Sequence, residues 1–194
     1  VKKIFCCLLF LNFQILSAQS LVWFEGSVVL STCEVLVGKI SIKGEHDLIL
    51  FEQGETRTVY PAHKIKSLYF YDRGRNINRR YLSLKEDNGV RSSHHLYEIV
   101  VTGKVDVLRR KKMTAFSEHP GELDFNYFTL YNEELIALRN FKKKVFPQLR
   151  SEPDTRLESF ITANKLRADL PTNAIRIIEY YNSLVKAEEP IARN

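Results

Sequence analysis

The chain has 194 residues, with 29 Lys and Arg against 23 Asp and Glu, and three cysteines. That length is enough to bury a core without metal or disulfide staples and fits one or two domains. Cys6 and Cys7 lie in a leading apolar run and only Cys33 lies beyond it, so the rest of the chain has no partner for an intrachain disulfide.

Lys2 and Lys3 precede the stretch Ile4 to Leu16, 13 residues interrupted only by Asn12 and Gln14, and Ser17-Ala18 follow. A short positive segment, an apolar run too short to span a bilayer and small residues after it are the pattern of a secretory signal peptide. Residues 1–18 are therefore expected to be the leader, with cleavage after Ala18. Cys6 and Cys7 sit too early, inside the apolar run, to be the acylated cysteine of a lipoprotein, so no lipid anchor is expected. Removing Lys2 and Lys3 takes the net charge from +6 to +4. The reading is an exported chain, periplasmic, outer-membrane-associated or secreted, with no transmembrane helix in its mature part.

From Leu21 to about Arg110 short β-patterned runs alternate with Gly and polar turns. Gly26–Leu30, Val35–Ile42, Asp47–Phe51 and Thr56–Tyr60 are the first candidate strands, with Gly38, Gly44 and Gly54 marking breaks, twists or turns. After Gly38 the alternation puts Ile40 and Ile42 on one face and Lys39, Ser41 and Lys43 on the other, as a strand with one wet face requires. Ile65–Tyr71 follows, with Leu68 and Phe70 on one face and Tyr69 and Tyr71 on the other. Asp72-Arg73-Gly74-Arg75-Asn76 reads as a turn, then Arg80–Leu84 and Leu96–Val101 as strands around the turn Asp87-Asn88-Gly89. Val105–Leu108 follows Gly103, Met113–Asp124 reads as an irregular loop, and Phe125–Tyr131 with Leu135–Leu138 as a late hairpin. Glu34–Ile42 and Glu98–Val107 share a Val-rich run broken by a Gly-Lys pair, with one residue inserted before that pair in the second, a likeness better read as convergence of two strands than as duplication.

The last quarter changes period. Asn140 is placed to cap a helix over Phe141–Leu149, which Pro147 must kink or shorten. Asp154 is placed to cap Thr155–Asn164, and Pro171-Thr172 opens a helix over Asn173–Lys186 with the apolar stripe Ile175, Ile178, Tyr181 and Val185. The predicted fold class is α+β: an antiparallel β meander or small open barrel followed by about three C-terminal helices. The expected organisation is a β-rich domain over 19–138 and a helical region over 139–194 packed on it.

Three stretches, Leu96 to Arg110, Tyr127 to Leu149 and Phe160 to Tyr181, carry a resemblance. Through Leu96-Tyr97-Glu98-Ile99-Val100-Val101-Thr102-Gly103-Lys104-Val105, Phe141-Lys142-Lys143-Lys144, Asn164-Lys165-Leu166 and Ile177-Ile178-Glu179-Tyr180-Tyr181-Asn182, the chain resembles uncharacterised exported proteins of Bacteroidota-type bacteria. The resemblance implies an exported protein with β structure before helices, and no activity.

Chemistry-bearing residues are sparse. His94-His95, with Glu98 nearby, suggests a metal site, but adjacent histidines on a strand point to opposite faces and no ligand loop accompanies them. Ser27, Ser31, Ser67 and Ser83 lie outside any GxSxG, and a Ser, His and acid trio drawn from distant residues leaves no local trace. Gly38-Lys39 and Gly103-Lys104 lack the rest of a phosphate-binding loop. No cofactor is expected.

Basic residues cluster at Arg73, Arg75, Arg79 and Arg80, at Arg109, Arg110, Lys111 and Lys112, and at Lys142, Lys143 and Lys144. The first cluster is the candidate anion-binding surface, with Tyr71 and Tyr81 beside it. Export and the absence of a nucleic-acid motif disfavour nucleic acid as a partner. The leading expectation is an exported, non-enzymatic envelope or secreted module that binds another protein through strand edges or the aromatic surface around Tyr69, Tyr71 and Tyr81. The alternatives are a binder of anionic glycans or lipid headgroups through the basic clusters, and an envelope hydrolase with no recognisable motif.

Overall fold

The structure is a computed structural model and describes residues 21–87, 92–112, 125–151 and 155–188. The expected leader, the turn at Asn88-Gly89, the loop over 113–124 and the Asp154 cap fall outside those residues. The remaining β runs form ten strands: β1 (Phe24–Leu30), β2 (Val35–Lys43), β3 (Leu48–Gln53), β4 (Thr56–Pro61), β5 (Ile65–Asp72), β6 (Ile77–Asp87), β7 (Ser92–Val101), β8 (Asp106–Lys111), β9 (Phe125–Tyr131) and β10 (Glu134–Ala137). The helices are α1 (Phe141–Lys144), α2 (Phe146–Arg150), α3 (Thr155–Ala163) and α4 (Pro171–Glu188). The order of elements is that of an α+β chain. None of the described helices is long and apolar enough to cross a membrane.

All ten strands join in one antiparallel sheet, ordered β10-β9-β8-β7-β6-β5-β1-β2-β3-β4. It is not a plain meander. β5 pairs with β1, Leu68 opposite Val28, instead of continuing from β4. Only Ala62–Lys64, one 3-10 turn, links β4 at the outer edge to β5. So short a link across an open sheet requires the sheet to roll until β4 and β5 meet at that end. The turn is pinned there: Ala62 N–H donates to the Asp47 carbonyl (2.8 Å), Ser31 N–H to that of Lys64 (2.9 Å), and the Ser83 hydroxyl to that of Ala62 (2.6 Å).

One sheet face carries both cores. In the rolled half, Val28, Ile40, Ile49 and Phe51 close over Leu68, Phe70, Tyr81 and Leu96. Gly26 and Gly38 oppose each other in the β1–β2 ladder on this inner face. A Cβ on Gly38 would lie 2.5 Å from the Glu52 carbonyl oxygen and 2.8 Å from the Phe51 ring, so the tight roll requires a bare backbone there. Gly38→Ala is expected to cost about 1–3 kcal/mol through overpacking, read as a lower midpoint in urea unfolding.

At the other end the helices pack on β8–β10. Val105, Val107, Tyr131 and Ile136 meet Phe141, Leu149, Leu157, Ile177 and Tyr181. The helix expected over Phe141–Leu149 is two short ones, α1 and α2, separated at Val145. Pro147 has no N–H to continue the ladder, and the chain re-forms with Gln148 N–H and Leu149 N–H both donating to the Val145 carbonyl (2.9 and 3.2 Å). The Asn140 side chain makes no capping hydrogen bond. Phe160 stacks on Tyr180 at 3.9 Å between ring centroids and joins α3 to α4.

Candidate functional site

Asp72 closes β5 and shapes the hairpin to β6. Its carboxylate accepts from the Arg75 backbone N–H (3.2 Å), and Asn76 takes the left-handed conformation (φ 55°) that completes the turn. The tip of this hairpin carries Arg73 and Arg75 out beside a cleft of about 910 Å³. Trp23, Phe24, Lys39, Glu52 and Arg57 line the cleft from β1 to β4, and Tyr71, Asp72 and Arg79 from β5 and β6. Glu52 is bracketed by Arg57 (2.6 Å) and Lys39 (3.2 Å), whose hydrogen bonds hold its carboxyl below the usual carboxylate range. The Arg57 guanidinium lies over the Trp23 ring, 5.6 Å from its centroid.

The arginines of the cleft differ in how far they are committed. Arg79 is fully engaged. It forks onto Glu98, Nε to Oε1 at 2.7 Å and Nη2 to Oε2 at 2.9 Å, and reaches Asp72 Oδ2 at 3.5 Å. Arg73 pairs with Glu25 at 3.0 Å, both side chains largely exposed, a kind of pair worth at most about 1 kcal/mol. The Arg75 guanidinium has no acceptor among the described residues. Arg80 stands on the opposite sheet face, because neighbours on a strand alternate. Of the four candidate arginines, Arg73, Arg75 and Arg79 thus share one cleft and Arg80 does not.

Tyr69 and Tyr71 are exposed on the outer face, while Leu68 and Phe70 are buried inside, as the alternation requires. Tyr81 corrects the expected aromatic surface. It is buried on the inner face, stacked 6.0 Å from Phe70 with Arg79 over its ring, and burial followed by the Glu98 carboxylate pushes its hydroxyl pKa up.

A second, smaller pocket of about 260 Å³ shares Val22, Phe24 and Arg79 with the cleft and continues between β2 and β7–β9. Its wall contains Glu98, held between Arg79 and Arg109 (Nε to Oε2, 2.8 Å). Burial alone would raise the Glu98 carboxyl. The hydrogen bonds from the two arginines outweigh it and hold the group below its ordinary range. Arg110 lines the same pocket, and its Nε is buried with no hydrogen-bond partner among the described residues. Of the second basic cluster, Arg109, Arg110 and Lys111 therefore line this pocket. Lys142, Lys143 and Lys144 are exposed along α1.

Cys33 lies exposed in the β1–β2 turn with φ 67°. His95 is drawn into a hydrogen-bonded group with Ser93 and Asp47, the latter delivered by the β2–β3 turn.

Sequence reading missed Trp23, Lys39, Glu52 and Arg57, whose convergence depends on the roll, and Glu98, whose partners are on neighbouring strands. Comparison of the chain with protein-family models, curated proteins and solved structures gives no match.

Proposed function

We propose that the protein is an exported bacterial envelope or secreted module whose cleft binds an acidic glycan. The observation that carries this reading is Arg75, a guanidinium without an acceptor among the described residues, at the edge of a cleft that also presents Arg73, Trp23 and Tyr71. Free arginine forks suit carboxylate or phosphate groups, and aromatic faces suit the apolar faces of sugar rings. The leading segment supports export, and the likeness to exported proteins of Bacteroidota-type bacteria agrees with it.

The test is retention of the chain from Gln19 onward on immobilised acidic polysaccharide and on phosphorylated lipopolysaccharide over a salt series. Retention is expected to fall steeply with salt. Arg73→Ala/Arg75→Ala is expected to weaken binding at least about 10-fold, since each charge-assisted bond is worth roughly 1.5–3 kcal/mol. Equal retention of the double variant would sink the reading. Retention on anionic vesicles but not on glycans would move the ligand to a lipid headgroup.

A protein-binding reading is favoured by a different surface. Val35 and Val37 on the outer face of β2 are 59% and 64% exposed, and Val37 shares a cross-strand row with Ser27 and Tyr69. A discrete envelope protein retained at high salt and lost on Val37→Lys would support it.

A further inference from the structure

Ser93, His95 and Asp47 form a hydrogen-bonded chain on and beside β7. Ser93 Oγ lies 2.7 Å from His95 Nε2, and His95 Nδ1 lies 2.7 Å from Asp47 Oδ2. Hydroxyl, one ring nitrogen, the other ring nitrogen, carboxylate is the order in which an imidazole takes a hydroxyl proton while an acid fixes its tautomer.

Each member is placed by the fold. Ser93 and His95 are two apart on a strand and so face the same way. Asp47 arrives from the β2–β3 turn in the left-handed conformation (φ 50°, ψ 46°). Its carboxylate is oriented by other bonds, Oδ1 accepting the Leu96 N–H at 2.9 Å and Oδ2 accepting from Arg110 at 2.9 Å. The turn is also held through its backbone, the Asp47 carbonyl accepting from the Ala62 N–H at 2.8 Å, while the Ser93 contact lies on the far side of the ring from Asp47. Glu86 stands opposite Ser93 across the β6–β7 ladder with Oε2 3.8 Å from His95 Nε2, beyond hydrogen-bond reach, and it accepts from the Tyr97 hydroxyl. Ser93 is half-buried, leaving part of its surface accessible.

We infer that Ser93 is a nucleophile toward carboxylic esters, with His95 as its general base and Asp47 as the positioning acid. In the acyl step the Oγ–C bond forms as the ester C–O bond breaks. The Oγ proton passes to His95 Nε2 and from there to the departing alkoxide. Water then releases the acyl group as a carboxylic acid, its proton taking the same route in reverse. The site is separate from the glycan cleft: Glu86 is seven residues along β6 from Arg79, roughly 20 Å at strand rise. The two proposals therefore stand or fall independently.

A fluorophosphonate reports the first step alone, since Oγ displaces fluoride and the phosphonyl group stays on Ser93. The expected result is a mass adduct on the peptide containing Ser93 in the folded protein, absent from Ser93→Ala and from wild type unfolded in urea. His95→Gln keeps a hydrogen-bond donor near Asp47 but cannot act as base, and its labelling is expected to slow at least about 100-fold. No adduct on Ser93 in the folded wild type overturns the inference. So does equal labelling in urea, or a folded His95→Gln labelled at the wild-type rate.

Discussion

Glu98→Ala is expected to remove about 3–5 kcal/mol of folding stability, because it takes from the largely buried guanidinium groups of Arg79 and Arg109 the carboxylate they share and leaves Arg79 only the longer contact to Asp72. Glu98 is 5% exposed and receives both arginines at 2.7–2.9 Å. The cluster sits on the inner sheet face between the rolled core and the helix-packed core. Urea unfolding checks the loss. The combined replacement Arg79→Met/Glu98→Leu/Arg109→Met is expected to recover much of it, since a well-packed apolar set replaces a buried ionic one at little cost. If the ionic set instead acts mainly through specificity, the triple variant will fold and lose the pocket between β2 and β7–β9.

The same group gives a pH dependence of definite sign. The folded-state pKa of Glu98 is lowered, so its contribution is complete above the unfolded carboxylate pKa of about 4.3 and is lost as the pH falls through the lower folded value. Glu98→Gln is expected to flatten the wild-type decline in stability below about pH 4.3. Stability curves collected from pH 6 to pH 2 would show an unchanged slope if Glu98 were not the titrating group.

Asn182→Ala is expected to cost about 2–4 kcal/mol, since it leaves two buried backbone groups unpaired at once. Asn182 on α4 accepts from the Val105 N–H (3.0 Å) and donates to the Val105 carbonyl (2.8 Å), reproducing a strand pairing with one side chain. Gly103 leaves room for it: a Cβ there would lie 2.3 Å from Asn182 Cγ. Gly103→Ala is therefore expected to destabilise in the same direction, and the two losses should not add, because either change disrupts the one contact. Chemical unfolding of the single and double variants decides this. Strict additivity would mean that Gly103 acts elsewhere.

Strand positions were readable wherever a wet face alternates with a dry one. Leu68 and Phe70 against Tyr69 and Tyr71 is such a case, and the strands starting at Val35, Thr56, Ile65 and Phe125 begin where the pattern does. The pairing of β1 with β5 left no such trace, since it joins segments about forty residues apart and depends on a roll that Gly26 and Gly38 only permit. The candidate site was legible in part. Arg73 and Arg75 were found because a turn places them together. Grouping Arg79 with Arg80 ignored the strand period that sends them to opposite faces, and the same period takes Tyr81 inward. The likeness between the segments around Gly38 and Gly103 also dissolves: one glycine is inside a strand under an aromatic ring, the other in a turn against Asn182.

The insertion of β1 between β5 and β2 governs the order in which this chain becomes a folded object. β1 to β4 emerge first during synthesis and have every local turn needed to form a four-stranded ribbon. Their inner surface, Ile40, Ile49 and Phe51, has nothing to rest on until β5, β6 and Leu96 of β7 exist. The nascent ribbon thus carries a bare apolar side through the synthesis of some forty further residues, the interval in which a holding chaperone has most to do. Division within the rolled half is equally barred, because β1 gives one edge to β2 and the other to β5, and Val28 belongs to the core they share.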